Sequence, residues 1–214
     1  LEASIGCERC HGPGGQHVNA MQQMAEGEAC EDCRIVNPAD LDPARREAVC
    51  NQCHLAGEAA IPRYGRGLYD FRPGDHLDDT LVVFVEGQRA GSGRAVSQVE
   101  QMQSSRCYQA SGEVMGCTTC HDPHWQPPPE EAAAFFDNRC ATCHETDDCG
   151  LDEPQRLAHA SGGSCIACHM PSENSSDVPH TALTDHSIPR DAAAARSQPS
   201  GRRQGQPVVF DNGQ

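Results

Sequence analysis

Apolar residues along this chain occur in short runs, which predict short elements of secondary structure. The longest runs, residues 81–85 and 132–136, are far shorter than a segment that could span a bilayer. Residues 80–85 are the only convincing β-strand that the pattern predicts. Start and stop signals predict short helices over residues 18–29, 43–54, 95–109, 130–143 and 152–160.

The clearest helix start is Asp42 followed by Pro43, an N-cap residue and a first-turn proline. Residues 61–79 are rich in Arg, Gly, Pro and Asp and are predicted to form a loop. Beyond residue 190 the chain consists mainly of Ala, Arg, Ser, Gln, Gly and Pro. We therefore expect one domain over residues 1–190 and, over 191–214, a mobile tail or an extended docking strap.

The composition argues against an ordinary hydrophobic core. Leu, Ile, Val and Phe together make up only 31 of 214 residues, and the net charge is −15. Such values are typical of disordered chains, because too little apolar surface can be buried to offset the ordering entropy. Fourteen cysteines change this interpretation. Something other than ordinary side chains must form the core, and the cysteines must attach it.

The charged residues exclude two classes of function. A net charge of −15 argues against nucleic-acid binding, because phosphate contacts need a basic face. All 16 cationic residues are arginine, so Schiff-base and P-loop chemistry, which need lysine, are excluded.

Ten of the fourteen cysteines belong to a repeated Cys-x-x-Cys-His pattern. Its five copies contain Cys7, Cys10 and His11; Cys50, Cys53 and His54; Cys117, Cys120 and His121; Cys140, Cys143 and His144; and Cys165, Cys168 and His169. This is the attachment pattern of c-type haem. Two thiols three positions apart reach the vinyl groups on one porphyrin edge, and the adjacent imidazole can then bind the iron as its proximal ligand.

Zinc sites and disulfides are the alternatives, since Cys-x-x-Cys pairs occur in both. Neither requires a histidine after the second cysteine, and here it follows in five of six pairs. The pattern therefore favours five haem c cofactors. The predicted fold is haem-cored and mostly irregular, with short α-helices and at most one short strand pair.

Four cysteines lie outside the motifs. Cys30 and Cys33 are followed by Arg34 and are interpreted as a local disulfide or a decayed haem site. Cys107 and Cys149 are interpreted as a disulfide or as two separate buried thiols. Because c-type haem is attached outside the cytoplasm, we expect a periplasmic or extracellular protein. The sequence contains no signal peptide, so we expect a mature form or a fragment of a longer precursor.

Six further histidines are candidates for the second, distal iron ligands. They are His17, His76, His124, His159, His180 and His186. His124 is too close to His121 to bind the opposite face of the same iron, so we expect it to serve a neighbouring haem, and the same argument applies to His17. His76 and His159 compete for one haem, with Met102 as a further candidate.

Several stretches carry a family resemblance. They are residues 6–18, 35–38, 49–55, 70–74, 100–102, 105–107, 168–171 and 180–190. In these stretches the chain resembles multihaem cytochromes c with doubled haem motifs, the lineage of small tetrahaem carriers, pentahaem nitrite reductase and octahaem hydroxylamine oxidoreductase. More narrowly, it resembles exported bacterial cytochromes that carry tetratricopeptide repeats. The resemblance implies a distal histidine where this chain has Gln98.

Electron transfer through closely packed haems is the function we expect, with no enzymatic activity. The alternative is a redox enzyme with one open haem, but the lysine that can serve as proximal ligand in the related reductases is absent. A cross-linking tyrosine could be Tyr64, Tyr69 or Tyr108, and nothing distinguishes them. The expected partners are other redox proteins or copies of the same chain, which could form a head-to-tail filament and supply a ligand to one another.

Overall fold

The computed structural model describes residues 5–24, 34–86, 97–145, 148–159, 162–174, 182–191 and 206–210. Contacts within the chain define two compact units. Unit 1 comprises Leu1–Glu86 and Pro207–Gln214, and unit 2 comprises Gly87–Gln206. This division differs from the predicted domain over 1–190 with a tail over 191–214, because a strand near the end of the chain pairs within unit 1.

The described part of unit 1 contains three helices: α1 (Glu8–His11), α2 (Gly15–Gln23) and α3 (Pro43–His54). Short 3₁₀ turns lie at Pro38–Asp40 and Leu77–Asp79. The predicted bounds of α3 are confirmed. The Asp42 carboxylate accepts a hydrogen bond of 3.0 Å from the Arg45 backbone N–H, which closes the first turn.

A three-stranded antiparallel sheet completes unit 1. It contains β1 (Ala59–Pro62), β2 (Leu81–Glu86) and β5 (Pro207–Val209), with β2 in the centre. Phe84 of β2 lies opposite Ala59 on one side and Val209 on the other. Gly57 precedes β1 at φ +59°, where a Cβ atom would lie 2.5 Å from the Phe84 carbonyl oxygen, so only glycine fits.

Unit 2 contains six short helices among its described residues. They are α4 (Gln98–Ser104), α5 (Arg106–Ser111), α6 (Cys117–Cys120), α7 (Pro129–Cys140), α8 (Glu153–Ala158) and α9 (Cys165–His169). A 3₁₀ turn lies at Gly112–Val114, and β3 (Ser172–Asn174) pairs with β4 (Ala182–Thr184).

The predicted helix over 95–109 is two helices. The backbone is extended at Ser105, whose hydroxyl accepts a hydrogen bond from the Tyr108 N–H and so starts α5. Ser105 is only 1% exposed, so packing holds this break in place. The sequence missed it because Ser105 lies inside an otherwise helical stretch.

The structure contains more strand than the sequence predicted. At most one strand pair was expected, but the described residues contain five strands in two sheets. The predicted strand is confirmed as β2. The other strands are three or four residues long, which is too short to show the alternation of apolar and polar residues that marks a strand. They form because of the strands with which they pair. Within the described ranges, no helix is both long and apolar enough to cross a membrane.

Buried apolar side chains are concentrated in unit 1. Among the described residues, unit 1 buries Ala48, Val49, Leu55, Phe71, Leu77, Leu81, Val83 and Val85. In the described part of unit 2 the buried apolar residues are Val99 and Met102. Because so few apolar side chains are buried there, the side chains of unit 2 provide very little core. Unit 2 nevertheless contains three of the five Cys-x-x-Cys-His motifs.

The cap of α3 predicts a pH-dependent contribution to stability. The hydrogen bond from the Arg45 backbone N–H lowers the pKa of the Asp42 carboxyl below its usual value. A depressed pKa stabilises the fold where the carboxyl is ionised, and this contribution is lost as the pH falls through the folded-state pKa. Asp42→Ala should therefore lower the Tm at neutral pH, with the difference from wild type shrinking on acidification.

Thermal unfolding of both proteins, followed by circular dichroism across that pH range, checks this expectation. Asp75→Ala is the control, because Asp75 is exposed and the N-cap residue of the neighbouring 3₁₀ turn is His76. An Asp42→Ala deficit that stays constant down to acidic pH would contradict the role of the ionised carboxylate.

Candidate haem-binding sites

All five Cys-x-x-Cys-His motifs lie in or at the end of a short helix. The first contains α1, the second ends α3, the third contains α6, the fourth starts at the last residue of α7 and continues in the turn that follows, and the fifth forms α9. In three of them a hydrogen bond joins the histidine N–H to the carbonyl of the first cysteine: His11 to Cys7 at 2.9 Å, His121 to Cys117 at 2.9 Å and His144 to Cys140 at 3.0 Å. On such a turn, side chains at positions i, i+3 and i+4 project from the same face. Both thiols and the imidazole can therefore meet one planar ligand.

None of the twelve cysteines that the structure describes forms a disulfide, so the bond considered between Cys107 and Cys149 is absent from it. Cys107 lies instead against His144, and the charge of Cys149 acts on Cys165 of the fifth motif. Cys30 and Cys33 lie outside the described residues. Within the described part of the chain, no group of three or more His, Cys, Asp or Glu residues converges on a point that could hold a bare metal ion.

The first and second motifs are neighbours in unit 1. The Gln52 side-chain amide donates hydrogen bonds of 3.2 Å to the Arg9 carbonyl and 2.8 Å to the Val49 carbonyl. Burial raises the pKa of the Cys10 thiol, and the nearby thiols of Cys50 and Cys53 raise it further. The thiols of the two motifs are therefore close enough to interact.

The third, fourth and fifth motifs form a second cluster, in unit 2. Burial raises the pKa of Cys140 to about 11, and the charges of Cys165 and Cys120 add to this effect. Cys140 is the first thiol of the fourth motif, Cys165 is the first thiol of the fifth motif, and Cys120 is the second thiol of the third motif. Two motif clusters, a pair and a trio, therefore lie in separate units.

One carboxylate holds the fifth motif to the fourth. The Asp137 carboxylate in α7 accepts hydrogen bonds from the Ser164 hydroxyl at 3.2 Å and the Ile166 backbone N–H at 3.1 Å. Ser164 is the N-cap residue of α9, so this contact fixes the start of the fifth motif directly.

Two of the motif histidines are oriented by backbone carbonyls. His11 Nδ1 lies 2.8 Å from the Val36 oxygen, and His169 Nδ1 lies 2.9 Å from the Pro189 oxygen. A carbonyl oxygen can only accept, so Nδ1 carries the proton and Nε2 carries the lone pair. This arrangement is typical of metal-binding histidines, whose other ring nitrogen is held by a carbonyl or carboxylate.

His186, one of the candidate distal ligands, lies beside the histidine of the third motif. Its ring centroid is 6.2 Å from that of His121, and the ring planes differ by 24°. Metal–nitrogen bonds of about 2.0–2.1 Å, with about 1.2 Å from nitrogen to ring centroid, would separate two imidazoles on opposite sides of one metal by about 6.4 Å. The rings are nearly parallel and their centroid spacing is close to this value, which makes His186 the candidate partner of His121 at one iron.

The loop that carries His186 is fixed at both ends. The His186 N–H donates to the Gln101 side chain at 2.8 Å, and Nδ1 lies 2.9 Å from the Thr184 carbonyl oxygen. The buried Asp185 carboxylate accepts from the Ser187 N–H and hydroxyl at 2.8 and 2.6 Å. As in His11 and His169, Nε2 is left to carry the lone pair.

Aromatic side chains line a cleft beside the third motif. His121 meets Phe136 edge to face at 5.3 Å between centroids, and Trp125 meets Phe135 in the same way at 5.3 Å. These residues and His124 line a cleft of about 490 Å³. The lining mixes these aromatic rings with polar groups such as Asp122 and Gln126, and the rings offer flat faces to a planar ligand beside the motif histidine. His124, the proposed ligand of a neighbouring haem, is exposed along this cleft.

The other candidate ligands are more scattered. His17 is half-buried in α2, and His54 is exposed at the end of α3. The charge of His76 acts on Asp42, at the end of α3 opposite the second motif. His159 Nδ1 lies 3.8 Å from Cys168 Sγ of the fifth motif. His180 lies outside the described residues.

Sequence reasoning missed the orienting carbonyls and the contact of Cys107. Val36 and Pro189 are apolar residues that act through their backbones, 25 and 20 positions from the histidines they hold, so no side-chain signal marks them. Cys107 does have a signal, since it is a cysteine outside the motifs. No family model, curated protein or solved structure proved significantly similar to the chain.

Proposed function

We propose that this chain is a multihaem c-type cytochrome that carries electrons through five covalently attached haems. The observation that carries the proposal is the shared geometry of the motifs. Each motif lies in or at the end of a short helix, and the thiols of neighbouring motifs lie close together in a pair and a trio. When bound, haem supplies an iron that exchanges one electron reversibly between its ferric and ferrous states.

The proposed roles of the residues follow from these positions. The ten motif cysteines would form thioether bonds to the haem vinyl groups. The motif histidines would be proximal iron ligands, and the Val36 and Pro189 carbonyls would hold two of them in the required tautomer. His186 would be the distal ligand opposite His121. The sequence candidates His17, His124 and His180 would serve the other irons, with His76 and His159 as weaker alternatives.

The scarcity of buried apolar side chains in unit 2 supports the same proposal. A group that brings a large apolar surface to each motif would supply the core that Val99 and Met102 alone cannot. The excess of carboxylates, which gives the net charge of −15, would favour the ferric state and lower the reduction potentials. Attachment of c-type haem further implies export, and we propose that the protein works in the periplasm or outside the cell with other redox proteins.

The mass of the intact protein tests the proposal. Chain produced in a host with c-type haem attachment should exceed its polypeptide mass by five haem units, with none on Cys30 and Cys33. The double variant Cys117→Ala, Cys120→Ala should lose one unit and keep four. A wild-type increment of four or six units would overturn the count, and no increment would overturn the function.

A further inference from the structure

A cysteine outside the five motifs lies against the imidazole of the fourth. Cys107 Sγ is 3.9 Å from His144 Nε2, and the other ring nitrogen, Nδ1, is 3.6 Å from an Asp148 carboxylate oxygen. A carboxylate beside Nδ1 is the usual outer partner of a histidine that binds metal through Nε2. Cys107 therefore faces the nitrogen through which His144 would bind iron.

The distance between the two atoms fits two ligands of one metal. Metal–nitrogen bonds of about 2.0–2.1 Å and metal–sulfur bonds of about 2.3 Å separate opposed ligand atoms by about 4.4 Å. The observed 3.9 Å is a few tenths of an ångström shorter. His144 is exposed, and rotation of its side chain can supply this difference.

The position of Cys107 is fixed by the fold. It lies in the first turn of α5, which the buried Ser105 starts by accepting the Tyr108 N–H at 3.1 Å. The charge of Cys107 also contributes to the raised pKa values of Cys120 and Cys140, after the larger effect of burial. Cys107 thus lies in a cluster of thiols from the third and fourth motifs.

We propose that Cys107 is the second axial iron ligand, opposite His144, of the haem attached through Cys140 and Cys143. This inference rests on the proposed haem attachment. On binding, Cys107 would give its thiol proton to solvent and its sulfur lone pair would bind the iron, with no change in the oxidation state of iron. The anionic ligand would favour the ferric state and give this iron the lowest potential of its cluster.

The assignment also accounts for an apparent shortage of ligands. Gln98 stands where the family resemblance implies a histidine. Two weaker candidates remain. The charge of His76 lowers the pKa of Asp42 in unit 1, and His159 lies beside Cys168, a thiol of the fifth motif. With His17, His124, His180 and His186 on four irons, a Cys107 thiolate completes the fifth.

Electron paramagnetic resonance and absorption spectra of the oxidised, haem-loaded protein test this site. The wild type should show one low-spin signal with the narrow anisotropy of thiolate ligation besides the broader signals of bis-imidazole haems. Cys107→Ser should abolish the narrow signal and make one haem of five high-spin. Cys149→Ser, at the other lone cysteine, should leave the spectra unchanged, and Cys107→His should restore a low-spin haem with a bis-imidazole signal.

Failure of this inference can be separated from failure of the proposed function. Mass spectrometry of each variant reports haem attachment independently of the axial ligand. Five attached haems with no thiolate signal, or a Cys107→Ser protein with wild-type spectra, would overturn the assignment of Cys107 and leave the cytochrome intact. A wild-type chain without haem would overturn both.

Discussion

Replacing His186 with alanine is expected to convert one haem, the one attached through Cys117 and Cys120, from low spin to high spin. The reason is the 6.2 Å spacing of the His186 and His121 rings, which fits two axial ligands of one iron. Without His186 that iron would keep only its proximal imidazole. The loss should appear as a high-spin ferric signal from one of five haems, with the haem count unchanged.

Two variants make this result specific. His186→Met offers a thioether ligand from the same loop and should restore a six-coordinate, low-spin haem with a higher reduction potential. His76→Ala is the control. The charge of His76 lowers the pKa of Asp42, at the far end of α3, so its removal should leave the spin state of the third-motif haem unchanged. A His186→Ala protein whose haems all stay low-spin would mean that another residue is the distal ligand.

The local parts of the fold could be predicted from the sequence. The helix over 43–54 has the predicted bounds because Asp42 and Pro43 encode its start through contacts within one turn. The five motif turns follow for the same reason, since each is defined by residues within five positions of one another. The strand over β2 was found because it alone is long and apolar enough to show its pattern.

The parts that depend on distant residues could not be predicted. β5 pairs with β2 across more than a hundred intervening residues, and its sequence Pro-Val-Val does not indicate a partner. The sequence nominated His186 as a distal ligand, but its pairing with His121 depends on the Gln101 side chain and the buried Asp185. Spacing alone nominates the residues that would bind haem, and tertiary contacts decide which of them lie together.

The largest expected effect concerns the folding of the chain before haem is attached. Chain made without haem and kept reduced should retain structure in the β1–β2–β5 sheet and α3, while the motif helices α6, α7 and α9 should lose it. Among the described residues, unit 1 buries eight apolar side chains, including Phe71, Leu77 and Val83, whereas unit 2 buries Val99 and Met102. Unit 2 therefore offsets much less of the entropy cost of ordering its backbone.

Hydrogen–deuterium exchange of the haem-free and haem-loaded chains measures this difference peptide by peptide. Amides of α7, which links the third, fourth and fifth motifs, should gain the most protection on haem attachment. Amides of β2 should change least, because its partners β1 and β5 hold it through backbone hydrogen bonds on both edges. Asp137→Ala, which removes the contact between α7 and the start of α9, should weaken protection of the fifth motif even in the haem-loaded protein. If haem-free α7 proved as protected as β2, unit 2 would have a core of its own, and its low content of buried apolar residues would no longer support haem attachment.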